Sequence, residues 1–200
     1  KVNAEAKGLH LDMQQRLKAE RMLTAIEYSA DSVHLAEVGK TAPTLTDPTL
    51  KLTFDLDYAA TRELAIVLQS MQSDPDAMHQ EVEGLIVVAD SVTEKGIGAD
   101  INELSVGWEG HKAQGSAELD VAPFQVSEIM VQPDKIRKYL TLNARFSVPS
   151  VMLEAMPDYN PQQINMLVQM GFVQKKNENY KVELQLENGV AKLNGQIVPM

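Results

Sequence analysis

The chain has no cysteine, and that absence removes disulfides, thiolate metal ligands and a cysteine nucleophile together. It leaves the compartment open, because a thiol-free chain suits an oxidising periplasm and many cytosolic domains lack cysteine as well. Positive charge is also scarce: 18 Lys and Arg stand against 28 Asp and Glu, for a formal net charge of −10 and a pI of about 4.8. A phosphate backbone requires clustered Lys and Arg, so nucleic acid is excluded as a partner. The pairs Arg137-Lys138 and Lys175-Lys176 are too small to form such a patch. There is no run of about 18 apolar residues to span a bilayer, and no signal-peptide pattern opens the chain. The first residue is Lys1 rather than Met, which raises the expectation of a processed chain or a soluble segment with its membrane anchor upstream.

Motifs that carry chemistry are missing too. The histidines His10, His34, His79 and His111 show no metal-ligand spacing such as i, i+4 on one helix, and they read as solvent-facing. No Gly-x-Ser-x-Gly elbow marks a nucleophile, and no Asp-x-Asp-x-Asp-Gly loop marks a hard cation. Gly96-Ile97-Gly98 follows a helix pattern and precedes strands, the reverse of a diphosphate-binding turn. It reads instead as a helix stop plus a β-bulge. The carboxylate pairs Asp55 and Asp57, Glu81 and Glu83, and Glu183 and Glu187 lie on faces where solvation accounts for them. The expectation is therefore no catalytic residue, no metal and no cofactor.

What the chain has is alternation. With 44% hydrophobic residues over 200 positions it can bury one sizeable core or two small ones. From Leu9 the odd positions run Leu9, Leu11, Met13, Gln15, Leu17, Ala19 against polar even positions, a period of two with one lapse. Ile26, Tyr28, Ala30, Val33 and Leu35 extend the strand reading, and Thr41-Ala42-Pro43 to Asp47-Pro48 reads as a connector. Leu50, Leu52, Phe54 and Leu56 then oppose Lys51, Thr53, Asp55 and Asp57, giving a strand with one wet face that runs into a helix through Ala60, Leu64, Val67, Leu68 and Met71. A second helix is predicted from Ser73-Asp74-Pro75 through Met78, Val82, Leu85, Ile86, Ala89 and Val92 to Lys95-Gly96.

Beyond Gly96, Leu104, Val106 and Trp108 lead to a Glu109-Gly110 turn, and Ala117, Leu119 and Val121 return from it as a hairpin. An irregular connection holds Ile129, Met130 and Val131 between Pro123 and Pro133. Leu140, Leu142, Ala144, Phe146 and Val148 make a further one-sided strand, and Pro149 opens a short helix. Leu52-Thr53-Phe54-Asp55 and Leu140-Thr141-Leu142-Asn143 each start a strand that feeds a helix, a weak sign of internal duplication. Methionines 13, 22, 71, 78, 152 and 166 fall within these patterns and read as core filler.

The end of the chain is the most legible part. Asn160-Pro161-Gln162-Gln163 supplies an N-cap and a proline at the first helical position, Ile164, Leu167 and Val168 form the stripe, and Gly171 is the left-handed stop. Tyr180, Val182, Leu184 and Leu186 alternate up to an Asn188-Gly189 turn, and Val190 to Ile197 reads as the closing strand of a three-strand meander.

In its order of helix, Gly171-Phe172, tyrosine strand, Asn188-Gly189 and Leu193-Asn194-Gly195, this stretch resembles the C-terminus of the YdgA-like family of bacterial envelope proteins, a domain of unknown function. The resemblance is best over Val148 to Met200, and it extends to the Leu52 to Met71 block and the Leu104 to Leu119 hairpin. It implies a periplasmic body tethered to the inner membrane by a segment absent from this chain, and it carries over no catalytic residue.

The expected fold is α+β: one-sided antiparallel strands in a curved sheet, helices gathered on one face, and a C-terminal meander. Two units are expected, 1–72 and 73–200, able to join in one continuous domain. A curved sheet only partly covered by its helices leaves an apolar groove or partner surface, with Trp108, Phe146 and Phe54 as its candidate residues. The functional expectation is a non-enzymatic module that binds a lipid or an envelope protein. A homo-oligomer paired through open sheet edges is the alternative, and a hydrolase with a site assembled from scattered residues is a third reading.

Overall fold

The computed structural model describes residues 2–37, 44–73, 82–156 and 159–198. The strands are β1 (Val2–Lys7), β2 (His10–Lys18), β3 (Arg21–Ser29), β4 (Ser32–Glu37), β5 (Thr44–Asp57), β6 (Ile97–Trp108), β7 (His111–Val121), β8 (Leu140–Pro149), β9 (Gln174–Lys176), β10 (Asn179–Glu187), β11 (Val190–Leu193) and β12 (Gln196–Val198). The helices are α1 (Tyr58–Ser73), α2 (Val82–Thr93), α3 (Val126–Val131), α4 (Ser150–Glu154) and α5 (Pro161–Gln169), with a 3-10 turn over Pro133–Lys138. All the strands join one open antiparallel sheet in the order β1-β4-β5-β6-β7-β8-β10-β11-β12, so the fold is α+β as its alternation predicts. β3 pairs with β5 below β4 and carries β2 outside it, and β9 borders one end of β10.

Registration converts the period-two pattern into a two-faced slab. Met13, Ile26, Leu52, Ile101, Ala117, Ala144, Leu184 and Leu193 stand side by side on eight consecutive strands. A second row runs Phe54, Ala99, Leu119, Leu142, Leu186, Ala191. The opposite face is laced with ion pairs. Lys51 sits 3.5 Å from Glu27 and 3.4 Å from Glu103, Arg21 lies 2.7 Å from Asp55, and Arg145 lies 3.0 Å from Glu183. These pairs account for Glu27, Asp55, Glu103 and Glu183 among the strand carboxylates. Asp57 is the exception to the solvation reading, because it is buried and its Oδ1 accepts the Ala60 N–H at 2.9 Å, capping α1.

Helices α1, α2 and α3 pack in sequence on one another. The α2–α3 junction is fixed by Thr93, whose hydroxyl donates to the Phe124 carbonyl at 2.8 Å, and by the Asp90 carboxylate accepting from the Val126 N–H. The irregular connection expected between Pro123 and Pro133 is thus helical over Val126–Val131. Glu128 there accepts from Lys135 at 2.6 Å and Tyr139 at 2.9 Å, bonds that hold its carboxyl below the usual range. The start expected for the second helix at Asp74-Pro75, together with Met78 and His79, lies outside the described residues.

Four further differences from the sequence reading have local causes. The strand expected to begin near Leu50 begins at Thr44 and runs through Asp47-Pro48, because a register shift between Thr46 and Thr49 lets the proline sit without a ladder partner. The bulge expected at Gly98 lies instead in the register shift between Ile101 and Leu104, and Gly98 pairs regularly with Asp55 and Asp120. The closing strand breaks at Asn194-Gly195, which takes positive φ at both residues and makes a hairpin of its own, β11 to β12. Met152 is core, but Met13 is 61% exposed and Met166 53%, so the filler reading fails for these two.

Candidate functional site

The molecule exposes 13482 Å², whereas a compact folded monomer of 22.1 kDa exposes about 9,300 Å². An apolar sheet face that is only partly covered contributes to the excess. Among the described residues no large side chain is fully buried, and Leu11, Leu17, Leu104 and Phe146 are all more than a third exposed.

Three irregularities line up across the slab. The first long strand breaks between β1 and β2 at Gly8-Leu9, the second between β3 and β4 at Ala30-Asp31, and β5 shifts register at Asp47-Pro48. They are stitched together: the Asp31 N–H donates to the Lys7 carbonyl at 3.0 Å, Ala30 N–H to Pro48 at 3.1 Å, and Asp47 N–H to Asp31 at 3.1 Å. Gly8 takes φ +64°, and a Cβ there would fall 2.1 Å from the Asp31 carboxylate, so glycine is required at the break. The result is a crease across the sheet. On its apolar face the crease holds a groove of about 390 Å³ lined by Ala6, Leu9, Tyr28, Ala30, Val33, Leu45, Leu50, Leu104 and Val106, with no charged residue among its walls. This volume lies within the range of small-molecule sites, roughly 300–1,000 Å³.

The residues singled out from sequence fall on the same apolar face, but the structure does not gather them. Phe54 stands between Thr24 and Ala99, Trp108 faces His111 at the hairpin end of β6, and Phe146 lies between Gly115 and Val182. None of the three lines the groove. Phe146 borders a different cleft of about 530 Å³, whose wall is mostly polar and includes the mutually paired Arg145 and Glu183. The groove residues escaped sequence reasoning because their grouping depends on the crease. Gly8 and Asp47-Pro48 were its only signals, and each reads alone as an ordinary turn.

Of the titratable groups, Asp100 is the one carboxyl with a raised pKa among the described residues. Partial burial is the main cause, followed by the charges of Glu118, Asp120 and Asp55. This is the polar face, and no group of three His, Asp or Glu that could hold a metal occurs among the described residues. His10, His34 and His111 are exposed and lie on three different strands, β2, β4 and β7. No described helix is long and apolar enough to cross a membrane.

A family model for bacterial proteins of unknown function, DUF945, matches residues 1–200. The chain belongs to that family. No curated protein and no solved structure matches it. In this DUF945 chain the C-terminal motifs form one hydrogen-bonded corner. Gly171 N–H bonds to Val168 and Phe172 N–H to Leu167, closing α5 in a Schellman motif. The Asn194 side chain then donates to the Gly171 and Phe172 carbonyls at 3.3 and 2.8 Å and accepts the Glu183 N–H at 2.9 Å. Gly171-Phe172 and Leu193-Asn194-Gly195 are therefore two halves of a single contact between helix and sheet.

Proposed function

We propose that this chain is a non-enzymatic periplasmic domain of a membrane-anchored envelope protein, and that its creased sheet holds the acyl chain of a lipid. The observation that carries this reading is the groove at the crease, open to solvent and walled by apolar side chains without a charged group. Such a wall discriminates against polar metabolites, whose desolvation it does not repay, and favours a flexible hydrocarbon. Each methylene buried contributes about 0.8 kcal/mol. About eight of them supply roughly 6 kcal/mol before ordering costs, which suits a lipid that enters and leaves. The resemblance of the C-terminal motifs to anchored envelope proteins supports the envelope setting, and membership of a bacterial family and the absence of thiols are compatible with it.

The test uses Trp108, the sole tryptophan, which follows the groove residue Val106 by two positions on the same face of β6. Purified chain is titrated with a fatty acid carrying a spin-label quencher, and native material is extracted with organic solvent for mass spectrometry beside a control protein of similar charge. Saturable quenching of Trp108 and stoichiometric lipid in the extract are expected. Both should be lost in Leu104→Gln, a change at a side chain already 41% exposed and therefore tolerated by the fold. A lipid-free extract together with unsaturable quenching overturns the reading.

A further inference from the structure

The free edge of β2 carries a different message from the groove. Among the described residues β2 pairs only with β3, leaving its outer edge open over nine residues, His10–Lys18. Edge strands in monomers are ordinarily blunted by proline, bulges or inward-pointing charge. This strand has no proline and stays in register with β3 from end to end. Its apolar stripe is bare: Leu11 is 57% exposed, and Met13 and Leu17 are 61% exposed.

We infer that this edge pairs with the same edge of a second copy, antiparallel about a two-fold axis through Gln14. A strand that pairs with its own copy over its full length has one such register, with each pair of positions summing to the same value about the centre. For His10–Lys18 that centre is Gln14, and the side chains then match. Leu11 faces Leu17, Asp12 faces Arg16, and Met13 faces Gln15 beside its diagonal apolar neighbours. By symmetry every match occurs twice. The acid and base lie on the polar face and the leucines on the apolar face, as cross-strand pairing requires. A two-fold axis perpendicular to the sheet keeps the apolar faces of both copies on one side, so the dimer is a doubled slab.

The absence of cysteine makes the test clean. Gln14→Cys places two thiols opposite each other across the axis, at the cross-strand spacing of about 4.5–5.5 Å that a disulfide accepts. Lys18→Cys in a separate chain faces His10 and has no thiol partner. The expected result is a concentration-dependent dimer by sedimentation equilibrium, with rapid oxidation of Gln14→Cys to a covalent dimer and none of Lys18→Cys above background. Arg16→Glu is expected to weaken the dimer at least about tenfold, by losing two attractive pairs and creating two repulsive ones. Asp12→Arg combined with Arg16→Glu restores it. A monomer at all concentrations, a dimer in which Gln14→Cys links no faster than Lys18→Cys, or failure of the charge swap to restore association each overturns the inference.

Discussion

The two ends of the slab are built from the same alternating strands and finished in opposite ways. At the C-terminal end Tyr180, Ala191, Ala144 and Met152 are buried, α5 is capped at both ends, and Asn194 ties the helix to the sheet. At the N-terminal end β2 buries nothing, and its leucines face solvent. Alternation decides which side chains share a face, but whether that face becomes a core depends on what lies over it. A single strand's sequence holds no information on that point.

The contrast can be broken most strongly at Asn194. Asn194→Ala removes three hydrogen bonds and leaves two carbonyls and an N–H in part-buried surroundings. We expect a loss of about 2–3 kcal/mol and a Tm lower by about 6–10 °C, read by denaturant and thermal unfolding. Next comes Gly115→Ala. Its Cβ would fall 2.6 Å from the Phe146 ring, and displacing that ring costs about 1–2 kcal/mol. Adding Phe146→Leu in the same chain should recover most of the loss.

A smaller effect of opposite sign is expected at Asp100. Its pKa is raised from 3.8 by burial and by Glu118, Asp120 and Asp55, so its ionised form is less at ease in the folded state than in the unfolded one. The folded state is therefore favoured while the group is protonated, below the unfolded value, and loses that advantage as pH rises through the folded value. Asp100→Asn should stabilise the chain at pH 7 and have little effect below about pH 3.5, as followed by unfolding at the two pH values. Smallest of all, Leu11→Thr and Leu17→Thr should each change unfolding free energy by less than about 0.5 kcal/mol in dilute monomer. A large loss at either would show that the N-terminal ribbon is as well covered as the C-terminal corner.

Much of the fold was legible because strong local rules spoke for it. Asn160, Pro161 and Gly171 set the limits of α5, Glu109-Gly110 set the β6–β7 turn, and the Leu50 and Leu140 strands run directly into α1 and α4. What sequence left out is what rests on distant partners. Asn194 looked like a residue within a strand because its three bonds reach Glu183, Gly171 and Phe172. Asp57 looked like one of several solvated acids until its place at the start of α1 made it a cap. Pro48 looked like the end of a connector, since nothing nearby reveals that Ala30 lies opposite to donate to it. The groove follows from that third case: alternation puts Phe54, Trp108 and Phe146 on the apolar face, whereas Ala6, Val33 and Leu45 line the groove through position alone.

The strand order also sets a distance. β1 and β12 occupy opposite ends of a path with eight inter-strand steps, about 38 Å in all at ~4.8 Å per step. Fluorescent labels at Val2 and Val198 therefore form a ruler across the whole sheet. Energy transfer between them reports how far the slab rolls up, and any occupant that closes the crease would register as a shorter distance between two points it never touches.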